Sequence, residues 1–105
     1  MLFNTVELTA TIKKVMPLRW SITGKPVLTL ILAHDSIQQE DHYSKQVHLN
    51  LMAKIMGDKA LVYQDKLGKL IWAKGFLQTS KLGLKNIIFH INEIEIKELD
   101  ISEEL

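Results

Sequence analysis

Lys69-Leu-Ile-Trp-Ala-Lys-Gly75-Phe-Leu-Gln-Thr-Ser-Lys81-Leu-Gly83-Leu-Lys85-Asn-Ile-Ile-Phe-His90 is the stretch on which the fold turns. It reads as an apolar strand over Leu70–Leu77, a short connector, and the start of a second strand, Ile87–Ile96. Gly75 inside the first of these strands predicts a bulge or a sharp bend, the device with which a small sheet curls shut. The connector, Gln78 to Asn86, holds Lys81 and Lys85 and no acidic residue, in a protein whose net charge is only +1. A hairpin with a cationic tip suits a phosphate backbone better than it suits a catalytic pocket.

Three further strands precede this hairpin. Val6, Leu8, Ala10 and Ile12 alternate with polar residues, giving a half-buried first strand. Lys14 to Pro26 reads as a loop punctuated by Pro17, Gly24 and Pro26. Val27–His34 is apolar on both alternating sets, the mark of a strand covered on both faces. Asp35 to His42 is polar and predicts a turn, after which Tyr43–Met52 alternates again with Val47, Leu49 and Leu51 inward. Lys54 to Leu67 is the place for one short helix, with Ile55, Met56, Ala60 and Tyr63 as its buried set and Gly57 inside it. Three strands, a helical connection and two more strands is the element order of an all-β, five-stranded Greek-key OB-fold barrel with at most one short helix between strands three and four. An open five-stranded sheet and an SH3-like barrel share enough of this order to stand as alternatives.

A chain of 105 residues is one domain, expected to bury roughly two-thirds of its unfolded surface. We place the barrel at residues 1–97 and an acidic C-terminal tail at 98–105. The hydrophobic fraction of 47% is rich for a domain this small and predicts that some apolar surface lies against a second protomer. Six of the 12 acidic residues fall from Glu93 onward, leaving 12 bases against 6 acids in residues 1–92. A basic body with an acidic end suits a polyanionic partner more than the total charge suggests. The absence of cysteine excludes disulfides and thiolate metal sites. Met1-Leu2-Phe3 is followed at once by Asn4 and Thr5 without the apolar run of a signal peptide, and no stretch is long enough to span a bilayer, so a cytoplasmic protein with no membrane partner is expected.

Catalytic chemistry finds little support. His34, His42 and His48, with Asp35, Glu40 and Asp41 nearby, lack the spacing of a metal-ligand motif. There is no nucleophile elbow and no glycine-rich phosphate loop, so neither an enzyme nor a cofactor is expected. Binding fares better, because single strands are held by cations along the phosphates and aromatic faces against the bases. The cations are Lys13, Lys14, Arg19, Lys25, Lys45, Lys81 and Lys85, and the aromatics nearest them are Trp20 and Tyr43. Trp72 and Phe76 share a strand and a face and read as core. His90 alternates with Phe89 and Ile91 and is expected to face solvent or the ligand surface.

The residues that carry a family resemblance run in order along nearly the whole chain. They are Asn4-x-Val6-x-Leu8-Thr9-Ala10-Thr11-Ile12, Pro17-Leu18-Arg19, Gly24-x-Pro26-Val27, His34-x-Ser36-x-Gln38-x-Glu40, Lys45-Gln46-Val47, Gly75-Phe76-Leu77 and Gly83-Leu84 with His90 beyond. Together they resemble the primosomal replication protein N (PriB) family. The resemblance implies a homodimeric OB-fold barrel related to bacterial single-stranded-DNA-binding proteins, with a role in replication restart. It implies single-stranded DNA and the PriA helicase as partners, with DnaT and single-stranded-DNA-binding protein as further ones in some bacteria. Carried over by position, its DNA contacts are Arg19, Trp20, Tyr43, Lys45, His48, Lys81 and Lys85. Asp35, His48 and Asn86 replace cations or a stacking ring found in some relatives, which predicts weaker DNA binding here. An adaptor that grips the helicase and touches DNA little is the competing expectation.

Overall fold

The computed structural model describes residues 1–81 and 86–97. Its elements are β1 (Val6–Val15), β2 (Arg19–Trp20), β3 (Pro26–Glu40), β4 (Tyr43–Met56), α1 (Asp58–Tyr63), β5 (Leu70–Thr79) and β6 (Ile87–Ile96). The sheet runs β1-β5-β6-β4-β3-β2 and is closed by antiparallel pairing of β1 with β3. β4 and β6 are parallel; the other neighbours are antiparallel. With the two-residue β2 set aside, this is the five-stranded OB barrel, its one helix lying between the third and fourth long strands.

Alternation along each strand builds the core. Ile12, Leu28, Leu30, Leu32, Ile55, Ile71 and Phe89 are completely or almost completely buried. Small residues stand beside large ones: Ala53 pairs across the sheet with Phe89, and Ala10 with Ile71. A narrow barrel needs this alternation, because two large side chains at one level would overfill it. Ala60 and Tyr63 of α1 join the same core, and the Tyr63 hydroxyl donates to the Ile94 carbonyl at 3.4 Å. Gly57 is not inside the helix but ahead of it, at φ 100°, where it ends β4. Ile55 and Met56 accordingly belong to β4, Ile55 buried and Met56 exposed.

At Gly75 the register of β5 against β6 slips, Lys74 pairing with Glu93 and Gly75 with Ile91. A Cβ built on Gly75 would stand 1.8 Å from the His90 carbonyl oxygen. The glycine is therefore required for the two backbones to close the barrel at this corner.

The polar stretch at 35–42 departs from the sequence reading. It is no extended turn: β3 continues to Glu40, Asp41 turns at φ 56°, and β4 returns from Tyr43 in unbroken register with β3. The two strands leave the barrel as an arm, which helps raise the radius of gyration to 15.3 Å, against about 13 Å for a compact chain of this length. Both faces of the arm meet water, so the hydrophobic alternation that betrays a strand is missing. For the same reason Leu49, expected inward, is exposed, and Val47 is only half covered.

The most specific motif of the sequence, His34-x-Ser36-x-Gln38-x-Glu40, occupies one face of this arm. Gln38 Nε2 donates to Ser36 Oγ at 3.0 Å, and Ser36 Oγ lies 2.7 Å from His34 Nε2. His34 Nδ1 stands 2.6 Å from the Thr9 carbonyl oxygen. A carbonyl can only accept, so the Nδ1–H of His34 donates to Thr9. Lys45 Nζ and Glu40 Oε2 continue the ladder at 3.0 Å. The period-two spacing exists because alternate residues share a face, and the ladder ties the base of the arm to β1.

Candidate nucleic-acid interface

The outer surface of β3, β4, β6 and β5 forms a shallow saddle. Pairing registers place Thr29, Lys54, His90 and Phe76 in one row across it. On one side a groove is lined by Met16, Pro17, Arg19, Thr29, Met52 and Lys54. On the other, a second groove is lined by Lys54, Gln78, Thr79, Ser80, Lys81, Ile88 and His90. Lys54 belongs to both, so Arg19, Lys54 and Lys81 stand along one continuous path. Among the described residues, no acidic side chain lines either groove. Chemically, such a path offers separated point charges over an apolar and aromatic floor, the arrangement that holds an unpaired polynucleotide strand.

Of the sequence-predicted site residues, the saddle brings together Arg19 and Lys81. Trp20 follows Arg19 but pairs with Pro26 where Arg19 pairs with Val27, so the two point to opposite faces of β2. The indole is 62% exposed at the rim. Tyr43, 74% exposed, sits at the tip of the arm, about 36 Å along β4 from Lys54 at the usual rise per residue. Lys45 lies next to that tip in an ion pair with Glu40. His48, opposite Asp35 at the base of the arm, is bonded to it through Nδ1. Lys85 lies outside the described residues. The predicted residues therefore form no single trough: one group lines the saddle and another follows the arm.

Lys54 is the central cation that sequence reasoning missed, because a helix was expected to begin there. The signal was present, since Ala53 and Ile55 continue the strand alternation up to Gly57. Trp72 and Phe76, expected in the core, lie on the outside of β5, which turns Ile71, Ala73 and Gly75 inward. Both sets of that strand are apolar, so alternation alone could not choose between them. Phe76 is 37% exposed and stacks on His90, ring centroids 5.0 Å apart and planes 14° from parallel. His90 faces outward into the second groove, in keeping with an alternation that pointed it toward solvent or a ligand surface.

Burial, and after it the Lys54 ammonium, holds His90 below the ordinary imidazole value of 6.5. The unfolded chain then binds the proton more readily than the folded one. This contribution to stability is complete above about pH 6.5 and is lost as pH falls through the folded-state value. A His90→Phe variant is expected to lose less melting temperature than the parent between pH 7.5 and 5.5, as circular dichroism would record. An identical drop in both would remove His90 as the source.

A family profile described as "another single-strand binding protein family" matches residues 4–93. The replication restart protein PriB of Neisseria meningitidis serogroup B is 40% identical over 74 residues, covering 70% of this chain and 74% of that one. Its counterpart from Bordetella pertussis is 31% identical over 91 residues, covering 86% and 85%. The chain belongs to the PriB family. The solved PriB structure from Ralstonia solanacearum superposes with a TM-score of 0.83 at 26% identity, covering 92% of this chain and all of that one. The barrel seen here is thus the PriB barrel. No helix among the described residues is long and apolar enough to cross a membrane.

Proposed function

We propose that this PriB-family protein is a non-catalytic, sequence-independent single-stranded-DNA binder that serves replication restart in the cytoplasm. The observation that carries the reading is the saddle along which Arg19, Lys54 and Lys81 are spaced, with no acidic lining among the described residues. Phosphates follow these cations, with Lys85 as a further one, while Trp20 and Tyr43 offer stacking faces at the rim and the arm tip. The family resemblance supports contact with a PriA-type helicase, with DnaT and single-stranded-DNA-binding protein as further partners. Met1, Leu2 and Phe3, all strongly exposed beside the start of β1, support a homodimer in which such apolar side chains are covered by a second protomer.

Titrating the protein with labelled oligo-dT at several salt concentrations tests this reading. Three phosphate contacts on a single strand correspond to a log–log salt slope of about −2. A flat response, or no binding at low salt, would overturn it. The adaptor reading has one observation in its favour: Lys45 and His48 are already engaged by Glu40 and Asp35. Repeating the titration with helicase present separates the two, because an adaptor joins the strand only in the helicase's company.

A further inference from the structure

The β6–β5 side of the saddle holds an aromatic pair whose members the sequence reading separated, Phe76 into the core and His90 toward solvent or a ligand surface. Phe76 and His90 are cross-strand partners on β5 and β6. The Gly75 corner brings these strands together, with the His90 carbonyl oxygen directly against the glycine. The rings lie offset and nearly parallel, and 37% of Phe76 remains open to solvent. Lys54 pairs with His90 across the sheet, and Lys81 lines the same groove as Lys54 and His90. A protein side chain could cover such rings, yet among the described residues no carboxylate lines the adjoining groove to pair with a partner's cations, while two ammonium groups do.

We propose that the Phe76–His90 pair is a stacking platform for a base of a bound single strand, with Lys54 and Lys81 in the adjoining groove holding the phosphates next to it. This rests on the single-strand reading above and adds a base-contacting surface to it. The neutral imidazole suits the role, since an uncharged ring keeps its face available, and burial favours that form. The platform is sequence-tolerant because every base has a flat face to offer.

The test compares the full-length protein and three variants, Phe76→Leu, His90→Ala and His90→Phe, against oligo-dT and an abasic strand of equal length. Circular dichroism melts accompany each variant. Phe76→Leu and His90→Ala are each expected to weaken oligo-dT binding about tenfold with an unchanged salt slope, and to leave abasic binding as it was. His90→Phe, which keeps a flat ring, is expected to retain the parent's affinity for oligo-dT. Parent-like oligo-dT binding by Phe76→Leu or His90→Ala would overturn the platform and leave the single-strand reading standing. Equal losses on both strands would also overturn it, by showing a structural role. If the parent protein binds neither strand, both the platform and the single-strand reading fall.

Discussion

Gly75→Ala is expected to lower the melting temperature by more than about 12 °C. The added Cβ would lie 1.8 Å from the His90 carbonyl oxygen, 2.8 Å from its carbon and 3.0 Å from Ile91 Cα. All three are backbone atoms of β6, so no side chain can swing aside to make room. Relief requires β5 and β6 to part at the corner where their register slips, which lifts Leu77 and Phe89 out of contact with their core neighbours. Overpacking of a closed core costs about 3 kcal/mol or more when backbone must move. For a domain of this size each 1 kcal/mol shifts the melting temperature by roughly 4–8 °C. Gln78→Ala, on the same strand at an exposed position, provides the contrast, with an expected change within about 0.5 kcal/mol. Equal melting temperatures for Gly75→Ala and the parent would show that the corner is looser than its geometry implies. The same substitution draws Phe76 away from His90, so DNA affinity should fall with stability in this variant alone.

Lys54→Glu is expected to have the largest effect on nucleic-acid binding of any single exchange at the saddle. Lys54 is the cation shared by both grooves, and its neighbours in the row are the uncharged Thr29 and the imidazole of His90, with no carboxylate lining either groove among the described residues. Losing one phosphate contact at 0.1 M salt weakens single-strand binding about fivefold on a slope of about 0.7 per phosphate. Reversing the charge adds repulsion of similar size, so oligo-dT affinity should drop more than about tenfold while the melting temperature barely moves. Lys45→Glu, at the arm tip beside Glu40, should do much less. If the two reversals prove equally damaging, the strand runs along the arm and not through the saddle.

The barrel was legible in the sequence because its strands bury one face each. Val6 to Ile12 announces a period of two, whereas Val27 to His34, expected to be covered on both faces, buries Leu28, Leu30 and Leu32 and leaves Val27, Thr29, Ile31 and Ala33 half-buried. The arm was hidden for the opposite reason. Asp35 to Glu40 has water on both sides, so nothing selects apolar residues at alternate positions, and the polar run resembles a turn. The site was legible in part. Arg19 and Lys81 follow from charge and element order, whereas Lys54 and Phe76 depend on which side of a strand faces outward. That choice is settled by Gly57 ending β4 and Gly75 slipping the register of β5, both of them events of backbone geometry.

The arm itself has one more consequence. Beyond the barrel it is a lone two-stranded ribbon, and such ribbons are barely stable in water without a supporting layer. The side-chain ladder from Thr9 through His34 to Gln38 splints its base to β1, while the segment around Asp41 is held by contacts within the ribbon, its cross-strand pairing and the exposed Gln39–Ser44 and Lys45–Glu40 bonds. A dye or crosslinker carried at His42 would therefore report on whatever the tip meets without disturbing the packed interior.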